Sequence, residues 1–111
     1  MTDQEILAKA GELSQREGCR VHPLCFKAQN DEDIVGFIRE PQRIVKQRSL
    51  DAAIQKGTTV AAGELLEALI IRDESDPRIF SDESQYDEFY FGASMACFEL
   101  INISQNAFKK K

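Results

Sequence analysis

One histidine, three cysteines, three prolines and no long apolar run are the scarcities of this 111-residue sequence, and each removes a class of protein. Three thiols cannot all pair within one chain, so reduced cysteines are expected rather than a disulfide framework. Crossing a bilayer takes about 20 consecutive apolar residues; nothing here approaches that, and no membrane partner is expected. His22 is the lone histidine, and no Ser or Cys stands in a G-x-S-x-G context, so nucleophilic catalysis has neither its base nor its elbow. The glycines of "GTTVAAGE" are not followed by G-K-[ST], which excludes a phosphate loop. A net charge of −5 leaves little to neutralise phosphates, so nucleic acid is not expected as a partner. The opening "MTDQEILAKA" is acidic and amphipathic, unlike a secretory leader, and predicts a cytoplasmic protein.

What is present is the composition of a soluble globular chain, sufficient for one core and too short for two. The expected class is α+β, mostly helical: an N-terminal helix over 1–18, a β-hairpin over 19–40 and a helical part over 41–111. Thr2 and Glu5 have capping-box spacing, Ile6, Leu7, Ala10 and Leu13 share a helical face, and Gly18 suits the C-terminal cap. In the hairpin, Leu24 and Phe26 alternate in one half and Val35 and Phe37 in the other, around the turn-forming "QNDED". Pro23 predicts an edge strand.

The helix predicted from Pro41 to Gly57 has no clean stripe. Ile44 and Val45 fall on a different side from Leu50 and Ile54, which predicts a break near Ser49 or contacts on two sides. The next helix is clearly amphipathic, with Ala62, Leu65, Leu66, Leu69 and Ile70 on one face, Glu64 and Glu67 opposite, and Thr58 or Thr59 as its cap. It should stop near Arg72, because Asp73 would fall on the apolar face and Pro77 follows. A long aromatic helix over 83–108 closes the pattern, with the terminal lysines complementing its dipole.

Four features were candidates for function. "RDESDPR" offers Asp73, Glu74 and Asp76, but lacks the glycine turn and bidentate Glu of an EF-hand, so it reads as a solvated helix end. Cys19, His22 and Cys25 lie close in sequence, yet strand alternation turns His22 away from both cysteines. The expectation is therefore no metal and no cofactor, with Cys25 and Cys97 as small buried hydrophobes. Arg39, Arg43, Lys46 and Arg48 form a basic cluster, while Asp73–Glu88 is mostly acidic; such runs are solvated faces or suit docking on a partner or a neighbouring copy. Finally, Phe91, Met95 and Phe98 form a second apolar ridge on the last helix, beyond the main stripe. A helix apolar on two sides is central to its fold or contacts something else. The expected partner-binding set is Phe91, Met95, Phe98, Arg39, Arg43 and Lys46.

The order of motifs carries a resemblance. A hairpin ends in "GFIREPQR", a helix follows, then "ELLEALIIRDESDPRI", then an aromatic helix ending in lysines. From Leu24 to Lys111 this resembles the small tail assembly chaperones of tailed bacteriophages and prophages. The matching positions are Phe37, Arg39 and Pro41 at the strand end, Leu65, Leu66 and Leu69 on the middle helix, and the terminal aromatics. The resemblance implies a non-enzymatic protein that binds the tape-measure protein, with the tail-tube protein as a further client, in the host cytoplasm. A structural virion or adaptor protein assembling as a homo-oligomeric ring is the alternative.

Overall fold

The computed structural model describes residues 2–27 and 30–102. The chain is α+β and mostly helical: helix α1 (Asp3–Glu17), strands β1 (Val21–Lys27) and β2 (Asp33–Arg39), helices α2 (Arg43–Lys56) and α3 (Thr58–Leu69), two short 3-10 turns, and helix α4 (Asp87–Asn102). The lysine tail and the last turns expected of the aromatic helix lie outside the described residues.

α1 is bounded as its sequence predicts. Thr2 Oγ accepts from the Glu5 amide at 3.2 Å, the Thr2 amide donates back to Glu5 Oε1 at 3.3 Å, and Gly18 ends the helix at φ 71°. Ile6, Ala10 and Leu13 are buried, but Leu7 stands 64% exposed and is no part of the core. α2 runs unbroken through Ser49. It starts at Arg43 rather than Pro41, which is buried just ahead of the helix. Neither threonine caps α3, because Gly57 occupies the cap position and Thr58 is already helical. α3 ends at Leu69, earlier than expected, since Ile70 turns to extended backbone.

The hairpin pairs Val21 with Arg39 through Lys27 with Asp33, antiparallel. Pro23 sits opposite Phe37, whose amide and carbonyl both point away from β1. Proline therefore occupies a non-bonded pair, where its missing N–H costs no ladder bond. Both faces of the sheet are covered. Val35 and Phe37 look toward α1 and join Ile6, Ala10, Leu13, Val21 and Ile71. Ile34 and Ile38 look the other way, into the larger cluster built from α3 and α4 around Leu65, Leu66, Leu69, Phe89 and Cys97.

The outer edge of β2 is closed by the acid-rich segment after α3. Ile70 bridges Ile38, the Ile71 amide donates to Phe37 O at 2.9 Å, and the Asp76 amide donates to Val35 O at 2.9 Å. Between them buried Ser75 Oγ accepts from the Phe37 amide at 2.9 Å. The carboxylates face basic partners: Glu74 pairs with Lys9 at 2.7 Å and Arg16 at 3.3 Å, and Asp73 with Arg16 at 3.5 Å. Asp76 and Glu32 share Arg78, at 2.6 and 2.7 Å. "RDESDPR" is thus more than a solvated helix end: it is a turn, buried at Ser75, that is pinned to α1 and to the hairpin.

Ser75→Ala leaves the buried Phe37 amide without a partner and is expected to lower unfolding free energy by about 1–3 kcal/mol, read from urea denaturation. Arg78 holds the Asp76 and Glu32 carboxyls below the usual carboxylate range, chiefly through its side-chain hydrogen bonds. Because these folded values lie below the unfolded ones, the stabilisation is complete above about pH 5 and drains away as pH falls through the depressed folded values. Arg78→Ala should therefore differ from wild type most at neutral pH, and the two denaturation midpoints should converge in acid.

Candidate functional site

The Cys/His group does not assemble a site. His22 is engaged by Glu40, Cys19 is half-buried and Cys25 is exposed, so Cys25 is not the buried hydrophobe expected of it. Its strand position explains this: β1 is the open edge of the sheet, and its C-terminal half is uncovered. Cys97 is fully buried in the main core, and burial alone pushes its thiol up to about 12. Among the described residues no three His, Cys, Asp or Glu side chains are grouped as a metal ion would require, and no helix is long and apolar enough to cross a membrane.

The basic cluster is divided. Arg39 is committed within the molecule: its Nε donates to Glu17 Oε1 at 2.6 Å, and one Nη reaches the Leu69 and Ile70 carbonyls at 3.5 Å. It clamps α1 to the end of α3. Lys46 approaches Glu40 at 3.8 Å. Arg43 and Arg48 are exposed and form no ion pair among the described residues.

The aromatic ridge is divided too. Phe91 is 45% and Met95 41% exposed, whereas Phe98 is 6% exposed and belongs to the main core. Seven residues at 3.6 per turn put Phe98 on nearly the same bearing as Phe91, about 20° away. Phe98, two turns further along, is packed in the cluster that holds Leu65 and Leu69, a cluster α4 also enters at Phe89 and Cys97. Sequence spacing fixes the bearing of a side chain but not what packs against it.

α4 consequently presents an outer face with Phe91, Gly92 and Met95, between Glu88 and Glu99. A groove runs along each flank. On the hairpin side Leu24, Phe26, Phe89, Gly92, Ala93 and Ala96 line an apolar trough, in which the Phe26 and Phe89 rings meet edge to face at 5.3 Å. On the α3 side Val60, Gly63, Glu64, Glu67, Tyr90 and Phe91 form a second groove. Gly63 allows this close crossing, since a Cβ there would stand 2.5 Å from Tyr90 Oη. A third cleft, between α2 and α3, is lined by Val45, Arg48, Ser49, Ala61 and Leu65. Ser49 Oγ is buried there without a partner among the described residues.

α2 supplies exposed residues absent from the expected set. Ile44, Leu50 and Ile54 stand 48%, 38% and 85% exposed. For Leu50 and Ile54 the trace was present in the sequence, as the apolar positions of α2 on a different side from Ile44 and Val45; Ile44 is exposed although it was grouped with Val45. α2 buries one residue, Ser49, and leaves its apolar outer side in solvent.

No family model, curated protein or solved structure matches this chain.

Phe98→Ala should cost about 3–5 kcal/mol, the range for deleting a buried aromatic. Phe91→Ala should cost about 1 kcal/mol or less. Paired chemical denaturation curves of the two variants measure the difference.

Proposed function

We propose that this chain is a protein-binding assembly factor of the tail assembly chaperone type. It would take the tape-measure protein as client in the host cytoplasm, with the tail-tube protein as a second client. One observation carries the reading: Phe91 and Met95 stand open to solvent on the outer face of α4, directly beside an apolar groove. Phe91 and Met95 are already more than half buried, so covering the remainder supplies about 1 kcal/mol each from transfer alone. A surface of this kind suits a helical client whose own apolar stripe would otherwise aggregate. The client would lie along the hairpin side of α4, with Met95, Gly92 and Ala96 beneath it and Phe26 at its edge.

The order of motifs supports the choice of client, since the strand-end "FIREPQR", the "ELLEAL" helix and the aromatic α4 follow one another as in that family. The carboxylates flanking the ridge, Glu88 and Glu99, would keep the loaded complex soluble.

Co-expression with a tape-measure protein from the same genome, followed by pull-down, tests this. A complex at mild salt that Met95→Asp abolishes, with the variant still folded, is the expected result. No complex at mild salt, or one indifferent to Met95→Asp, overturns the reading.

A further inference from the structure

Two apolar surfaces of this chain carry opposite charge. The first is the outer stripe of α2. At 3.6 residues per turn Arg43, Gln47, Leu50 and Ile54 fall nearly on one line, with Lys46 at its side. Ile54, at 85%, is the most exposed large apolar side chain among the described residues. α2 carries Arg43, Lys46, Arg48 and Lys56 against Asp51 alone, in a chain whose net charge is −5.

The second surface is the groove between α3 and α4. Val60 and Phe91, 49% and 45% exposed, form its apolar floor and lip. Glu64 and Glu67 line it, and Glu88 stands one turn before Phe91. Glu64 already meets Lys56 at 3.1 Å, but Glu67 and Glu88 form no ion pair among the described residues. The concentration of negative charge is felt inside the groove, where burial and then Glu67 and Glu64 raise the Tyr90 hydroxyl above its ordinary value.

We propose that the α2 stripe of one copy seats in the α3–α4 groove of the next. Leu50 and Ile54 would cover Val60 and Phe91, while Arg43 and Lys46, on the same side of α2, approach Glu67 and Glu88. The occupant is a second copy because the chain itself carries both halves of the match: an exposed apolar helix with excess positive charge, and an exposed apolar groove with excess negative charge. The two surfaces are different, so the contact is heterologous; each copy uses one and offers the other. Such a contact propagates head to tail into a ring or a filament rather than closing as a two-fold dimer. One helix in one groove is a small interface, so association should be weak, concentration-dependent and salt-sensitive. The proposal does not rest on the tape-measure reading, and it leaves Met95 and the hairpin-side groove uncovered.

Sedimentation velocity of the full chain alone, from low micromolar to near-millimolar protein, provides the test. Wild type should grow past dimer with concentration and shrink as salt is added. Ile54→Asp breaks the stripe and Phe91→Asp breaks the groove; each should be monomeric by itself with an unchanged circular dichroism spectrum. Mixed in equal amounts, they should form a dimer and nothing larger, because one intact stripe and one intact groove remain. Should Phe91→Asp fail to fold, Val60→Asp breaks the same groove from an exposed position. A wild type that stays monomeric, a wild type that stops at dimer, a single variant that still assembles, or a mixture that remains monomeric overturns the proposal.

Discussion

The contact on which the rest of the molecule depends is made by a hydroxyl. A two-stranded hairpin is marginal alone and leaves two open edges. Here Ser75, with the Ile71 and Asp76 amides on either side, takes up the outward-facing backbone groups of Val35 and Phe37. That closes one edge and draws the chain after α3 across the sheet. α1 is then held on one face through Lys9 and Arg16, while α3 and α4 are held on the other through Ile34 and Ile38. Without this return, the two hydrophobic clusters would have no common wall.

The same constraint accounts for the distribution of charge. The carboxylates of 73–76 look like a ligand set when read along the chain, but in space each faces a cation: Asp73 and Glu74 meet Lys9 and Arg16 of α1, and Asp76 meets Arg78, which also holds Glu32 at the hairpin turn. Pairs this exposed contribute little individually. Their role is positional: they fix where α1 and the hairpin turn lie relative to a segment with no regular secondary structure of its own.

Much of the fold was legible in the sequence, because its determinants are local. The Thr2/Glu5 box, Gly18, the alternation around "QNDED" and the stripe of α3 are all contained within one turn or one strand. Pro23 announced an edge strand, although its tolerance depends on which pairs of the ladder are bonded. The function of 70–76 was not legible. Nothing in "IIRDESDP" says that Ser75 will meet Phe37, 38 residues away in the chain. The candidate surface was half legible for a related reason. Periodicity assigned Phe91, Met95 and Phe98 a common bearing, but Phe98 is enclosed by the main core while Phe91 and Met95 are not, a difference set by tertiary packing. Arg39 resembled its basic neighbours in sequence until Glu17 claimed it.

α2 stands apart in one further respect. It rests mainly on α3 and is joined to it through Gly57 at φ 102°, a backbone conformation that side chains disfavour. Ser49 is its one buried residue, and Val45, Ala52 and Ala53 pack only in part against the main core, so α2 is held more lightly than α3 with its six buried residues. Its amides are thus the ones whose protection against solvent deuterium can vanish while the remainder of the chain stays closed. A helix held this lightly can reorient when it meets a binding surface, at small energetic cost to the body that carries it.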